Sequence, residues 1–287
     1  MPAIRPRRSV LFVPGSNARA LDKARELPAD GLIFDLEDAV APDAKEAARE
    51  IVAAAVNAGG YGRRELVLRV NPLDSAWGEG DLALAAGLPV NALLLPKVES
   101  AKSVRVTEQR LAALGAPPLP LWCMVETPRG VLAAAEITAA SPRIAALVMG
   151  TSDLTADLRA LPARDRLPLL TSLGLVVLAA RAHGKAVLDG VHLDLADEAG
   201  FAAACRQGRE LGFDGKTLIH PKQIAPANAA FAPSADEIAH ARRIIAAHAE
   251  AATAGKGVVL LDGRLIENLH VADARRILAL ADAIAGR

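Results

Sequence analysis

Residues 121–128 read LWCMVETP, and this stretch decides the fold. Its first five residues are apolar without interruption, which is typical of a parallel strand buried on both faces. A carboxylate, Glu126, follows at once. Thr127 is suited to cap a helix, and Pro128 is suited to the first helical position. The stretch therefore predicts a buried strand, a charged residue at its carboxyl end, and a helix directly after it.

The same unit recurs along the chain, because eight short apolar runs are each followed by an amphipathic or alanine-rich segment. The runs are Val10–Val13, Leu32–Asp35, Leu66–Val70, Ala92–Leu95, Leu121–Val125, Ala146–Met149, Ala186–Leu188 and Lys216–Ile219. Helices are expected between them, for example over Ala44–Val56, Ala101–Leu114, Gly130–Ala140 and Asp197–Leu211. This alternation favours an α/β fold of the (β/α)8 TIM-barrel class with a C-terminal helical arm. A doubly wound open sheet is the main alternative.

The chain continues well past the eighth predicted strand, which should end near Pro221. We assign residues 1–225 to a catalytic barrel domain and residues 226–287 to a C-terminal helical arm of the same structural unit. Helices are predicted over Ala235–Thr253 and about Ala272–Ile284, on either side of a glycine-bounded stretch at Gly255–Gly263. The arm is either a lid or subunit-exchange arm, or surface packing.

Composition excludes several classes of protein. The 287 residues carry 33 Lys and Arg against 33 Asp and Glu, whereas a nucleic-acid-binding surface would show a basic excess. No long apolar run follows the arginines of residues 1–9 before Pro14, so we expect no secretory signal and no membrane partner. Two isolated cysteines, Cys123 and Cys205, fit a reducing compartment, and we expect a cytoplasmic protein.

Polar residues stand at the carboxyl ends of the predicted strands, at Asp35–Asp38, Arg69, Lys97, Glu126 and Gly150–Asp153. In a barrel these ends converge on one face, where barrel enzymes place their active sites. We therefore expect an acidic cup that also holds an arginine and a lysine. His220 ends the eighth strand and could be an acid–base group, but hydrogen bonding within its own loop is the favoured interpretation.

Glu126 and Asp153 follow adjacent predicted strands and could share one cation. Hard oxygen ligands that leave room for water and substrate suit Mg²⁺, and no His/Cys cluster competes for a softer metal. Either carboxylate taken alone would more often cap a helix or pair with an arginine. Their joint placement favours a metal site.

Two further groups are suited to bind the acidic and carbonyl oxygens of a substrate. Backbone N–H groups around Gly150, Thr151 and Ser152 can approach an anion such as a carboxylate. The Arg69 guanidinium can fork onto a carboxylate or a thioester oxygen. Alternatively, Arg69 pairs with the acidic residues after the second strand and merely closes the barrel top.

Several motifs, taken in chain order, go beyond these general patterns. They are Arg8–Gly15 (RSVLFVPG), Asp35–Val40 (DLEDAV), Arg69-Val70-Asn71, Pro96-Lys97, Glu126-Thr127, Gly150–Asp153 (GTSD), Gly212–Lys216 (GFDGK) and Ile219-His220-Pro221. In this order and spacing they resemble the citrate lyase β-subunit-like family of the 2-oxo acid aldolase/citrate lyase superfamily. Malyl-CoA and citramalyl-CoA lyases belong to it, and the resemblance covers nearly the whole chain.

The resemblance implies a homotrimeric barrel whose C-terminal arm reaches towards a neighbour's site. It implies that Glu126 and Asp153 bind Mg²⁺, and that Glu37 and Asp38 orient the water molecules on the metal. Arg69 would contact the substrate near the reacting carbonyl.

The family also implies which groups hold the substrate. Glu126 and the segment Gly150, Thr151, Ser152 and Asp153 would bind it together with Arg69, and the backbone of that segment would hold the 2-oxo acid carboxylate. In the lyases the arm carries a catalytic Asp after a Gly-x-Met-Ile or similar stretch. Here the stretch reads GRLIE, and Glu267 takes that place with one more methylene, which alters the geometry.

The implied activity is a magnesium-dependent carbon–carbon lyase. It would cleave a 2-hydroxyacyl thioester such as malyl-CoA, citramalyl-CoA or citryl-CoA to a 2-oxo acid and an acyl thioester. Mg²⁺ would lower the pKa of the hydroxyl, and Arg69 would stabilise the thioester enolate. Two alternatives stay open. One is an aldolase that acts on 2-oxo acids without a thioester. The other is a citrate lyase β-subunit or binding protein that is inactive alone and needs an acyl-carrier partner.

Overall fold

A computed structural model describes residues 4–253 and 259–286, so residues 255–258 of the glycine-bounded stretch lie outside the described part. The described residues divide into two compact units. The barrel unit is Arg7–Phe231, and the C-terminal unit comprises residues 232–253 and 259–286 with residues 4–6. The division falls six residues beyond the expected boundary at 225, because a last helix over Ile224–Phe231 packs against the barrel with Ile224, Ala227 and Phe231 buried.

The barrel unit is a closed sheet of eight parallel strands that pair in chain order, with the eighth strand paired back to the first. The strands are β1 (Ser9–Pro14), β2 (Gly31–Asp35), β3 (Glu65–Arg69), β4 (Ala92–Leu95), β5 (Leu121–Val125), β6 (Ile144–Met149), β7 (Ala186–Asp189) and β8 (Gly215–Leu218). The predicted (β/α)8 barrel is confirmed, and the doubly wound alternative is wrong because the sheet has no open edge.

Helices follow the strands, with two between β5 and β6 and two between β6 and β7. They are α1 (Ala18–Ala24), α2 (Lys45–Ala58), α3 (Gly78–Gly87), α4 (Ala101–Ala113), α5 (Pro128–Leu132), α6 (Ala134–Ala139), α7 (Thr151–Asp157), α8 (Leu170–Ala182), α9 (Glu198–Leu211) and α10 (Ile224–Phe231). The segment predicted as one helix over Gly130–Ala140 is broken at Ala133, where φ is −92° and ψ is 3°. Among the described residues, no helix combines the length and the apolar character needed to cross a membrane.

The strand register decides which side chains point into the barrel. Ile33 pairs with Val67, and both belong to the apolar cluster that fills the interior. Because side chains alternate along a strand, Asp35 and Arg69, two residues further on and also paired, point inwards above that layer. The carboxyl ends of β2 and β3 therefore place the Asp35 carboxylate and the Arg69 guanidinium side by side at the mouth of the barrel.

The C-terminal unit consists of α11 (Ala235–Thr253), a hairpin of β9 (Val259–Leu261) and β10 (Arg264–Ile266), and α12 (Asn268–Ala285). Asp262 and Gly263 form the hairpin turn with φ of 50° and 75°, as two-residue hairpin turns require. Its helices lie within the predicted arm, whereas the hairpin was not expected. The unit has an apolar cluster of its own, centred on Ile244 and Ile266.

Candidate active site at the barrel mouth

Glu126 follows β5 and is only 1% exposed. One carboxylate oxygen, Oε1, accepts the backbone N–H of Lys97 at 2.7 Å. The other, Oε2, is buried and has no hydrogen-bond partner within the described residues. Burial raises the pKa of Glu126 to about 7, although the hydrogen bond from Lys97 opposes the shift. A buried carboxylate with one uncommitted oxygen is suited to hold a cation or a proton.

Two backbone features give Glu126 its place. Lys97 has φ of 47°, a left-handed conformation that few non-glycine residues adopt, and it is this residue's N–H that binds Oε1. A Cβ added at Gly150 would lie 2.3 Å from the Glu126 Cβ and 2.4 Å from Oε2. Glycine is therefore required after β6, because any larger residue would displace the carboxylate.

Asp153 lies in the first turn of α7, which begins directly after Gly150. Its negative charge is close enough to raise the pKa of Glu126 further. In the structure, the two predicted metal ligands are therefore close enough for the charge of one to affect the other. No group of three or more His, Cys, Asp or Glu side chains with metal-binding geometry occurs among residues 4–253 and 259–286. Any cation here would take most of its ligands from water or substrate.

Arg69 is 6% exposed and is held mainly by Asp35. Its Nε and Nη2 donate to the two Asp35 oxygens at 2.7 and 2.6 Å, and its remaining nitrogen, Nη1, lies 2.8 Å from Glu37 Oε2. The same nitrogen has longer contacts with Asp38, at 3.4 Å, and Met124 Sδ, at 3.7 Å. Burial would lower the pKa of Arg69, but the hydrogen bonds and charge of Asp35 raise it above its ordinary value. Pairing with acids is therefore what the guanidinium does here, since each of its three nitrogens lies within hydrogen-bonding distance of a carboxylate.

Glu37 is nearly buried, whereas Asp38 is exposed. Besides Arg69, Glu37 faces the Lys97 ammonium, with Nζ 3.4 Å from Oε1. Burial raises the pKa of Glu37 despite the neighbouring Arg69 charge, and Asp38 raises it further. The charge of Glu37 in turn raises the pKa of Glu126, which places the predicted acidic residues in one cup.

Lys45 and Asp81, which were not predicted from the sequence, stabilise the backbone of the cup through hydrogen bonds. The Lys45 Nζ donates to the carbonyls of Leu36 and Glu37, each at 2.8 Å, and to Asn71 Oδ1 at 2.7 Å. The Asn71 amide donates to Asp81 Oδ2 at 2.7 Å. These residues fix the backbone that carries Glu37. Lys45 and Asp81 lie in α2 and α3, where nothing in the local pattern separates them from surface charges.

The remaining predicted residues lie beside the cup or in the other unit. Thr151 is buried and Ser152 is exposed, and both line a cavity next to α7. His220 is exposed, and its Nδ1 accepts the Lys222 N–H at 3.1 Å, in agreement with the favoured loop role. Glu267 lies in the C-terminal unit, exposed at the start of α12, where its N–H donates to a histidine ring nitrogen at 3.0 Å.

Comparison with known families and proteins gives consistent results. The profile of the HpcH/HpaI aldolase/citrate lyase family matches residues 8–221. A (3S)-malyl-CoA thioesterase of Cereibacter sphaeroides (strain ATCC 17025 / ATH 2.4.3) is 50% identical over 280 residues, which cover 98% of this chain and 96% of that protein. The citrate lyase subunit beta of Escherichia coli (strain K12) is 37% identical over 284 residues, covering 97% and 94%.

Solved structures show the same fold. The CitE protein of Mycobacterium tuberculosis, in complex with magnesium, acetoacetate and coenzyme A, superposes with a TM-score of 0.78 and 31% identity over 98% of this chain and 100% of that one. A citrate lyase beta subunit from the same organism, complexed with oxaloacetate and magnesium, gives a TM-score of 0.68 and 32% identity over 81% and 100%.

Proposed function

Because the chain belongs to the HpcH/HpaI aldolase/citrate lyase family of enzymes, we propose that it acts, with the help of Mg²⁺, on a CoA thioester of the malyl-CoA type. In such a thioester the hydroxyl-bearing carbon lies between the free carboxylate and the carbon next to the thioester. The expected citrate lyase β-subunit-like resemblance is confirmed by the family and by its relatives. The substrate class is supported by two findings: the malyl-CoA named for the 50% identical relative, and the coenzyme A bound by the solved neighbour.

The observation that carries the proposal is the uncommitted Oε2 of Glu126 beside Asp153. Both are carboxylates, the donor type that Mg²⁺ prefers, and Mg²⁺ commonly binds one or two of them while keeping several waters. The residues present therefore fit the ion, with Glu126 and Asp153 as its ligands. When bound, Mg²⁺ would supply Lewis-acid polarisation at the hydroxy-acid end of the substrate. Binding of magnesium by the solved neighbours supports the same assignment.

The other side chains of the cup would position the substrate. Glu37 and Asp38 would accept hydrogen bonds from water molecules around the ion. Arg69, held in orientation by Asp35, would donate to the thioester oxygen. The N–H groups of Thr151 and Ser152 at the start of α7 would receive the substrate carboxylate, whereas the Gly150 N–H already donates to the Val125 carbonyl at 3.1 Å.

We propose carbon–carbon cleavage as the reaction. A base removes the proton of the 2-hydroxyl group, and that oxygen becomes the carbonyl of a 2-oxo acid. The bond to the neighbouring carbon breaks, and its electron pair moves into the acyl thioester as an enolate, which is then protonated. Negative charge collects on the thioester oxygen, where Arg69 would stabilise it. By resemblance, Glu267 from a neighbouring arm would exchange the proton.

A second candidate reaction is hydrolysis of the thioester itself. The 50% identity to a protein named a (3S)-malyl-CoA thioesterase favours it. In that reaction water attacks the thioester carbon, the carbon–sulfur bond breaks, and the products are the free dicarboxylic acid and the coenzyme A thiol. The same groups would serve, because negative charge again develops on the oxygen that Arg69 would contact.

The products separate the two reactions. The purified chain would be incubated with malyl-CoA and Mg²⁺, and the 2-oxo acid and the free thiol would be measured in parallel. A 2-oxo acid without thiol means cleavage, and thiol without 2-oxo acid means hydrolysis. If neither appears, malyl thioesters of an acyl carrier and free 4-hydroxy-2-oxo acids test the carrier-dependent and thioester-free alternatives. Activity that survives chelation of divalent cations would contradict the magnesium assignment.

Two wider expectations belong to the same proposal. We propose a cytoplasmic homotrimer that binds no nucleic acid and no membrane. The balanced charge supports the absence of nucleic-acid binding, and the trimer rests on the family resemblance. Size-exclusion chromatography with light scattering tests the trimer directly.

A further inference from the structure

The Lys97 side chain is a cation at the barrel mouth to which the proposed reaction assigns no part. Its Nζ lies 3.4 Å from Glu37 Oε1, and this is the single hydrogen-bond contact of the ammonium in the part of the chain that the structure describes. The side chain is 42% exposed. Because an ammonium group carries three N–H donors, Lys97 keeps donors for a group that enters from the solvent.

Lys45 and Arg69, the cations that hold the cup together, are committed to groups of the protein. Lys45 is buried, and its three N–H donors bind two backbone carbonyls and the Asn71 side chain. Arg69 is also buried, with each guanidinium nitrogen within hydrogen-bonding distance of a carboxylate. Lys97 is therefore the cation of the cup that is best able to turn towards a substrate.

The backbone of Lys97 fixes the point from which this side chain extends. Residue 97 comes two residues after the end of β4, and its φ is 47°. In this left-handed conformation its N–H donates to Glu126 Oε1 at 2.7 Å. A non-glycine residue keeps such a conformation only where its surroundings hold it. The backbone of Lys97 is therefore anchored to a proposed metal ligand.

The ammonium of Lys97 lies on the side of the cup that also holds Arg69. Glu37 joins the two cations, because its Oε1 faces the Lys97 ammonium and its Oε2 lies 2.8 Å from Arg69 Nη1. In the barrel, β4 also lies between β3, which ends in Arg69, and β5, which precedes Glu126. Lys97 thus extends from the proposed hydroxy-acid end of the substrate towards the guanidinium proposed to contact the thioester oxygen.

We propose that the Lys97 ammonium is a further catalytic group, which donates a hydrogen bond to the thioester oxygen when negative charge collects there. Arg69 and Lys97 would bind this oxygen together, as paired donors do in an oxyanion hole. A lysine ammonium is charged at neutral pH, and here it keeps its proton throughout, so no bond forms or breaks at Lys97. The inference rests on the proposed function and applies to cleavage and hydrolysis alike, because the same oxygen becomes negative in both.

The Lys97→Ala variant tests this role, because it lacks the ammonium and retains the backbone N–H that binds Glu126. The substrate is malyl-CoA with saturating Mg²⁺, and product is counted as 2-oxo acid plus thiol. We expect kcat to fall about 100-fold or more, as for a lost oxyanion donor, with a smaller change in KM. Lys97→Arg, which restores a charged donor, should recover part of the rate. The control is Lys185→Ala, directly before β7 at the opposite end of the barrel, which should retain the wild-type kcat.

Chemical rescue of Lys97→Ala separates the charge of the ammonium from a structural role of the side chain. Propylammonium matches the three carbons and the ammonium that the variant lacks, and the exposure of the native side chain leaves it a path from the solvent. We expect propylammonium to raise kcat of the variant at least about tenfold, and propanol, its neutral counterpart, to leave kcat unchanged. Calorimetric Mg²⁺ affinity should not fall, since Glu126 keeps its hydrogen bond and a nearby positive charge has gone.

The outcomes separate failure of this role from failure of the proposed function. A wild type that releases neither product from malyl-CoA overturns the proposed function, and the role of Lys97 with it. If the wild type is active, a Lys97→Ala variant that keeps kcat within about threefold, or that changes only KM, overturns the role of Lys97 alone. The same holds if neither propylammonium nor Lys97→Arg restores any of the lost rate, or if Mg²⁺ affinity falls together with kcat, because Lys97 would then only maintain the structure of the cup.

Discussion

The carboxylate of Glu126 is buried at a position where its charge is destabilising until a cation arrives. Burial and the charges of Glu37 and Asp153 raise its pKa, and the single hydrogen bond from Lys97 does not compensate. A protein gains nothing in stability from such a group. The proposed role as a metal ligand explains why it is there.

The pH dependence of stability tests this directly in the metal-free protein. Because the pKa of Glu126 is about 7 in the folded state against 4.5 ordinarily, the folded state holds a proton that the unfolded state lacks between these values. Stability should therefore fall as pH rises through this window, by on the order of 3 kcal/mol in all. The Glu126→Gln variant lacks this charge. In thermal unfolding with a chelator present, we therefore expect the variant to be more stable than wild type at pH 8 and as stable as wild type near pH 4.5. Exposed Glu136→Gln serves as the control, and a Glu126→Gln variant that is less stable at pH 8 would contradict the burial argument.

Gly150 should be as necessary to the site as the carboxylate it touches. In Gly150→Ala the new methyl would clash with Glu126, so we expect Mg²⁺ affinity and turnover to fall at least about tenfold, as expected for a displaced metal ligand. The matched control is Gly174→Ala in α8, where an added Cβ meets nothing within 4 Å and should stabilise the helix by about 0.5 to 1 kcal/mol. Calorimetric titration of both variants with Mg²⁺ measures the affinity. Wild-type affinity in Gly150→Ala would contradict the argument that a side chain at residue 150 displaces Glu126.

Some residues of the candidate site could be predicted from the sequence, and others could not. Glu126, Asp153 and Arg69 could be predicted because each stands at the end of an apolar run, and a barrel gathers those ends on one face. The principal partner of Arg69 could not, since pairing Asp35 with Arg69 depends on the strand register. Lys45 reaches the site from a helix, across a distance that no local pattern encodes.

At the scale of elements, the loop between α7 and α8 is tied to the barrel by a buried ion cluster. Asp189 at the end of β7 accepts from Arg166 in the loop and from Lys216 Nζ in β8 at 2.9 Å. Burial would raise the pKa of Asp189, but Lys216 and Arg166 outweigh it and lower the pKa below its ordinary value. One side chain thus holds the loop that forms a wall of the cavity next to α7.

Removing that charge should be costly. Asp189→Asn leaves two cations without their counter-ion in a buried place, so we expect the free energy of unfolding to drop by about 3 to 5 kcal/mol. Asp22→Asn, which breaks an exposed pair with Arg25, should cost less than about 1 kcal/mol. Urea denaturation at pH 7 measures both. Equal effects would mean that the buried cluster contributes no more than a surface pair.

Some secondary-structure elements could be predicted from the sequence, and others could not. The eight barrel strands were found because strands buried on both faces leave continuous apolar runs. The hairpin of β9 and β10 was missed because its strands have three residues each, several of them exposed, although Asp262-Gly263 is a strong turn signal. The cavity beside α7 could not be foreseen, since the irregular segment over residues 158–166 has no periodicity to interpret.

At the scale of the whole molecule, the position of Glu267 bears on the role in catalysis that we propose for it. It lies exposed in the C-terminal unit, whereas the cup belongs entirely to the barrel unit. The family resemblance implies that the arm serves a neighbouring subunit of a trimer. A site assembled from two chains has a consequence that a site within one chain lacks, because two inactive variants can then complement each other.

Glu126→Gln and Glu267→Ala should each be nearly inactive alone, the first through the metal and the second through proton transfer. Co-expressed in equal amounts, they form mixed trimers in which some barrels with an intact Glu126 meet a neighbouring arm with an intact Glu267. With random mixing both conditions hold at roughly a quarter of the sites, so malyl-CoA turnover should return to roughly a quarter of wild type. Separately purified variants, mixed without subunit exchange, are the control and should stay inactive. No recovery in verified mixed trimers would confine each site to one chain, and full activity of Glu267→Ala alone would remove Glu267 from the mechanism.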